Sequence, residues 1–280
     1  MRKLSLMASA TMLAIAATAA PALAQDAPEE EPFTGFYVGG SFGYTVQPND
    51  IGERVLFDTD RDGDFDEDVL TAADANAFSP GFCNGFSTNA TPAGGCVNDR
   101  DDIEYFGRIG FDKQFGGIVV GIVGEAGKSE ATDSVTAFST TPASYTFTRS
   151  TDWQAGLRGR IGYTPGTTLF YATGGGAYAK MDHQFTSTNG ANSFTGNGEN
   201  DAWGWSAGGG VEQKIGRNFS LGLEYLYTRL NDDDYEVAVG PGTAPETNPF
   251  LLVDPTGTDM RRSQGDFNTH SLRATAAFRF

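Results

Sequence analysis

Eight stretches of this chain alternate large apolar residues with small, polar or charged ones at a period of two. In 218–229, Phe219, Leu221, Leu223, Tyr225 and Tyr227 alternate with Ser220, Gly222, Glu224 and Thr228. In 102–111, Ile103, Tyr105, Ile109 and Phe111 oppose Glu104, Arg108 and Gly110. Successive side chains of a strand point to opposite faces, so each stretch is a strand with one bulky apolar face and one polar face. A water-soluble barrel buries its apolar face. Charges inward and apolar residues outward suit a closed sheet surrounded by hydrocarbon.

The other six stretches are 33–46, 118–126, 150–163, 168–182, 201–215 and 267–280. The glycine-rich fifth, 168–182, is ambiguous in its facing, and Leu169, Tyr171, Ala177, Ala179 and Met181 form its more apolar register. Connections alternate in length. Residues 47–101, 130–149, 183–200 and 231–266 are long, whereas 112–117, 164–167 and 216–217 are short. An up-and-down membrane barrel has short periplasmic turns and long extracellular loops, and an even strand count leaves both termini in the periplasm. The expected fold is therefore all-β: an eight-stranded antiparallel up-and-down transmembrane β-barrel over 33–280.

The N-terminus agrees with export. Met1-Arg2-Lys3 precedes an uncharged run and Pro21-Ala22-Leu23-Ala24, the three parts of a secretory signal, here read as 1–24 with cleavage after Ala24. Residues 25–32 then form a short periplasmic segment. No later stretch reaches the roughly 20 apolar residues of a membrane helix. A net charge of −17 excludes nucleic acid as a partner, because phosphates would be repelled. Cys83 and Cys96 lie in a polar loop of an exported chain, where an oxidising compartment favours a local disulfide.

The inward registers carry Glu104, Arg108, Glu125, Arg158, Arg160, Glu212, Glu224 and Arg273, equal in sign. Eight strands enclose a space that side chains just fill, so these eight are expected to pair into a plug. The other reading is a narrow ion path. Aromatic residues near the strand ends form two interfacial girdles: Tyr44, Tyr105, Trp153, Trp203 and Tyr227 at the outer end, and Phe111, Tyr163, Phe219 and Phe278 at the inner.

The stretches Phe36-Tyr37-Val38-Gly39-Gly40, Tyr171-Ala172-Thr173-Gly174-Gly175-Gly176-Ala177-Tyr178 and Ala277-Phe278-Arg279-Phe280 resemble the small outer-membrane β-barrels related to the OmpA membrane domain. More narrowly, they resemble the surface immunogenic, porin-like proteins of alphaproteobacteria. The resemblance covers nearly all of the chain after the signal and implies a place, the cell outer membrane, more than an activity. It also implies that Phe278 and Phe280 form the terminal signal read by the barrel-assembly machinery.

Local chemistry is sparse. Asp58, Asp60, Asp62, Asp64 and Asp66 alternate around Gly63, a spacing that supplies hard oxygen ligands to calcium, although position twelve is Val69 rather than glutamate. A solvated acidic loop is the alternative, and no cofactor is required. The chain holds only two histidines, His183 and His270, near outer strand ends, so no catalytic residue is assigned and no enzyme is expected; a rim hydrolase is the lesser alternative. The expected role is structural and surface-exposed, in envelope integrity and in interaction through the loops. A minor channel for small solutes is the second reading. Outer-membrane lipids and lipopolysaccharide, the assembly machinery and extracellular molecules are the expected partners of a monomer.

Overall fold

Strands that are neighbours in sequence are neighbours in space, and the last pairs with the first. The computed structural model describes residues 31–48, 52–198 and 200–280. The expected signal 1–24 and residues 25–30 of the following segment lie outside them. The barrel strands are β1 (Gly35–Val46), β2 (Asp102–Phe115), β3 (Ile118–Ser129), β4 (Ala143–Tyr163), β5 (Thr168–Ser187), β6 (Asp201–Ile215), β7 (Phe219–Asn231) and β8 (Asp266–Arg279). All pairings are antiparallel, and β8 closes on β1 through Val38↔Phe278 and Phe42↔Ala274. Closure leaves no barrel edge unpaired, which a strand in hydrocarbon requires.

The outer wall is apolar. Phe36, Phe42, Ile109, Ile122, Leu157, Ile161 and Leu223 are all exposed on it, far more apolar surface than a water-soluble monomer leaves uncovered. Inner positions are polar or small in much of the lumen, with apolar layers above and below the charged middle. At Gly39 a Cβ would lie 2.0 Å from the Ala276 carbonyl oxygen, and at Gly175 2.1 Å from that of Leu157. These glycines let the wall curve tightly where any side chain would strike a neighbouring strand. The tight turns use Gly116 (φ +60°) and Gly216 (φ +70°), a left-handed conformation that glycine adopts without steric cost.

Three expectations are corrected. The apolar register of β5 faces inward: Leu169, Tyr171, Ala177, Ala179 and Met181 are buried, and Phe170 is exposed on the wall. The reason is local. Above its charged middle the lumen is apolar, with Ala177, Ala179, Met181, Ala202, Leu230 and Phe267 packed together, while Leu169 and Tyr171 meet Phe33 and Val119 below. Second, β2 runs through 112–115, leaving Gly116 and Gly117 as the turn and placing Asp112 inside. Third, the long connections carry strands of their own.

Thr132–Ser139 pairs with the start of β4, and Gly81–Asn84 extends that sheet. Ser193–Asn197, Glu236–Gly240, Thr258–Arg262 and Val55–Asp58 form a separate four-stranded sheet. Between them lies a second core, including Phe57, Phe78, Val135, Tyr145, Phe147, Val239, Phe250 and Met260. Phe78 stands at its centre, with ring centroids 4.4 Å from Phe57, 5.3 Å from Tyr145 and 5.8 Å from Phe250. Fully burying one such ring contributes roughly 1.5–3 kcal/mol, so the four loops are folded together as a cap.

Candidate functional site

Two tiers of ion pairs cross the lumen. In the middle tier, Glu104 and Arg108 of β2, Glu125 of β3, Arg158 of β4, Glu224 of β7 and Arg273 of β8 meet. Arg273 bonds Glu104 (2.5 Å) and Glu125 (2.8 Å), Arg158 bonds Glu125 (2.5 Å) and Glu224 (3.3 Å), and Arg108 bonds Glu224 (2.8 Å). The Tyr171 hydroxyl donates to Glu224 at 2.9 Å, which is why that ring points inward.

The lower tier is a closed ring of four. Arg160 pairs with Asp112 and with Glu212 (2.9 Å), and Arg279 pairs with Asp112 (2.8 Å) and Glu212 (3.4 Å). The Tyr37 ring lies beside both cations, 5.1 Å from the Arg160 guanidinium and 4.8 Å from that of Arg279. The eight charges expected from the sequence are thus all buried, divided between the tiers. Asp112 and Arg279 were not among them. Asp112 reads as a turn residue, whereas Arg279 already stands on the inward register of β8 and could have been found there.

A third charged cluster, with no counterpart in the sequence reading, lies in the cap. His183 Nε2 is 2.8 Å from Asp232, Asp232 is 3.3 Å from Arg149, and Arg149 bonds Asp133 at 2.8 Å. Arg262 bonds the same Asp133 carboxylate at 2.7 Å and Glu53 at 2.7 Å. This chain of contacts runs through all four loops, and Arg149 adds bonds to the carbonyls of Gln264 and Asp266. Burial pushes the Asp133 carboxyl up, but Arg262 and Arg149 outweigh it and hold it below the usual carboxylate range. Asp232 is lowered in the same way, its burial outweighed by His183 and Arg149. Asp99 differs. Burial and then the Asp133 charge push it up to about 7, and the Ser134 amide donates to it at 2.7 Å. A signal existed for this cluster: bases are rare in such acidic loops, so each one is a candidate partner for a buried carboxylate.

The five aspartates of the acidic run do not converge. Carboxylate oxygens of Asp58, Asp60 and Glu67 lie within 4.8 Å of one another, and this set is corrected from the sequence by replacing Asp62, Asp64 and Asp66 with Glu67. Asp62 accepts instead from the Asp64 amide (2.9 Å), as expected of a short polar side chain in a turn. Cys83 and Cys96 are joined in a disulfide. Asn200 and Asp232 occupy both ring nitrogens of His183, and His270 Nδ1 meets the Tyr225 hydroxyl at 2.7 Å on the outer wall. Phe278 and Phe280 are both exposed, and the Phe280 amide closes the barrel on Phe36.

The family model described as outer membrane protein beta-barrel domain matches residues 10–280. The 31 kDa outer-membrane immunogenic proteins of Brucella melitensis and Brucella suis are each 33% identical over 115 residues, which is 41% of this chain and 48% of theirs. The chain thus spans about half the length of these relatives. The 22 kDa outer membrane protein of Rhizobium leguminosarum is 28% identical over 145 residues, 51% of this chain and 61% of that one. Among solved structures, Neisserial surface protein A aligns at a TM-score of 0.36 and 9% identity, covering 88% of this chain and 98% of that one. Ail of Yersinia pestis aligns at 0.31 and 10%, covering 88% and 100%.

Proposed function

Since the chain belongs to the outer membrane β-barrel family and lies in the outer membrane, we propose that it is a sealed, non-conducting surface protein whose folded cap is its working face. The observation that supports this reading best is the pair of tiers that join β2, β4, β6, β7 and β8 across the lumen. An ion entering would have to displace guanidinium–carboxylate pairs that are almost fully buried. Breaking one such pair costs about 3–5 kcal/mol, because the charge left behind stays buried. Planar-bilayer recording of the refolded protein is expected to show no discrete conductance steps. Steady steps would overturn the sealed reading in favour of a channel for small solutes.

On this reading the cap carries envelope integrity and surface interaction, the protein acts as a monomer, and His183 is a strut within the cap. Its surroundings are the membrane lipids and lipopolysaccharide, with Phe278 and Phe280 presented to the assembly machinery. Calcium is proposed at Asp58, Asp60 and Glu67, three hard oxygen donors to an ion that takes six to eight. Adding millimolar calcium should raise the unfolding temperature of the cap, and Asp58→Asn should remove the increase.

A further inference from the structure

Residues 31–34 lie at the short-turn end of the barrel without belonging to its wall. They turn away from the wall at Gly35, whose φ is +131°, and a Cβ there would lie 2.5 Å from the Phe280 carbonyl oxygen. Only glycine lets β1 bend off β8 at this point. The Thr34 amide donates to the Glu31 carbonyl (3.1 Å), which folds the segment into a compact strap. At its centre Phe33 is fully buried, packed with Val119 of β3 and with Leu169 and Tyr171 of β5.

Three further strands hold the strap by its backbone and by Thr34. The Phe33 amide donates to Gln114 Oε1 of β2 (3.1 Å), and the Gln114 amide donates to Thr34 Oγ1 (3.1 Å). Lys214 of β6 donates to the Pro32 carbonyl at 2.5 Å. Arg279 of β8 donates to the carbonyls of Phe33 (2.7 Å) and Gly35 (3.3 Å), and its guanidinium lies 5.7 Å from the centroid of the Phe33 ring. The strap thus touches β2, β3, β5, β6 and β8. Lys214 is 182 residues from Pro32 and Arg279 is 246 from Phe33. Such distant groups meet around one ring only when the circle of strands is complete, because loop closure must precede the contacts it permits. A cavity of about 520 Å³, lined by residues that include Thr34, Lys214, Asn218 and Arg279, opens beside the strap, so water reaches its anchors without any parting of the wall.

We infer that residues 31–34 are a clasp: the segment seats after β8 has closed on β1, and once seated it holds that seam shut. Among the barrel pairings, that of β1 with β8 alone joins strands that are not consecutive in sequence. The clasp is continuous with β1, and the arginine that grips it belongs to β8. Parting the seam therefore has to break the Arg279 bonds and draw Phe33 out from between β3 and β5 in one event. Contacts made after the rate-limiting step slow unfolding and leave the folding rate as it was. The inference rests on the closed barrel and is independent of whether the lumen conducts.

The test follows the folding and urea-induced unfolding of the protein in phosphatidylcholine vesicles by the heat-dependent gel shift of the closed barrel, which gives both rates. Phe33→Ala should speed unfolding about a hundredfold and change the folding rate less than about twofold. Should Phe33→Ala be too unstable to close, the same two rates are read on Phe33→Leu, which should speed unfolding about tenfold with folding unchanged. Lys214→Met, which removes the anchor on Pro32, should speed unfolding about tenfold in the parent and little in a Phe33 variant, because there the strap is already unseated. Slower folding in the Phe33 variant, an unfolding rate that does not change, or a full effect of Lys214→Met on the Phe33 variant would each overturn the clasp. An open-channel record would count against the sealed lumen without touching this result.

Discussion

The lumen and the cap are both held by buried arginine–carboxylate networks, yet they differ in what surrounds the charges. In the lumen, Arg158 and Arg160 sit inside a closed hydrogen-bonded cylinder whose outer face is apolar. In the cap, Arg149 and Arg262 stitch together four separate loops whose remaining cohesion is an aromatic core. Losing an ion pair in the lumen strains one rigid wall, whereas losing one in the cap lets the loops part. The same interaction is a seal in one place and a latch in the other.

Arg158→Met should produce the largest effect. It leaves Glu125 and Glu224 short of a partner, at a cost of about 3–5 kcal/mol measured as urea-induced unfolding of the whole barrel in vesicles. An unchanged urea midpoint would show that the middle tier does not hold the barrel. Phe78→Ala should come next, at about 3 kcal/mol from the lost ring and the cavity it leaves. Its effect belongs to the cap alone. Protease should cut the loops while the membrane-embedded strands stay protected, and parallel loss of the barrel would mean that the two regions unfold as one.

These regions also differ in how far the sequence discloses them. The barrel is legible because lipid on one face and charge on the other stamp an alternation on every strand, as in Phe219 to Tyr227. Where that contrast fails the reading fails: β5 meets an apolar lumen at Ala177 and Met181, so its two faces look alike. The cap strands are harder still. Thr132–Ser139 is buried at six successive positions, so no alternation survives, and its threonines and serines read as loop. Asp112 hides behind the turn preference of aspartate, and Glu67 joins Asp58 and Asp60 only because the backbone doubles back around Gly63. Partners across a fold cannot be read from spacing alone.

Reducing the Cys83–Cys96 disulfide, or replacing both by serine, should have a smaller effect that is confined to the small flap in which Phe86 pairs with Val97 and Ser87 with Cys96. A closed loop with a sequence separation of 13 is worth about 3 kcal/mol to an unfolded chain, but the flap keeps its bonds to Ser134 and Thr136, so less than that is expected. Hydrogen exchange of 81–98 should rise while that of β1–β8 stays unchanged. Faster exchange in the barrel strands would show that the flap braces the wall.

The smallest effect, and the one that separates latch from seal most cleanly, is that of pH. Asp99 is held up to about 7, above its value in an unfolded chain, first by its burial and then by the charges of Asp133 in the second loop and Glu53 in its own, with the Ser134 amide and Arg262 of the fourth loop offsetting them. A carboxyl raised on folding favours the folded state fully below its unfolded pKa, and that contribution is lost progressively as pH rises toward 7. Asp133 and Asp232 have the opposite sign: they are lowered on folding, so their contribution is present above the ordinary carboxylate range and is lost as pH falls through it. Cap stability should therefore peak in mildly acid solution and decline toward pH 8. Because Asp99 is partly exposed, solvent screening reduces the change to about 1 kcal/mol. Proteolysis of the loops between pH 5.5 and 8 measures it. Asp99→Asn should flatten the alkaline side and leave the acid side in place, since Asp133 and Asp232 remain. An alkaline decline that survives Asp99→Asn would place the titrating group elsewhere in the latch.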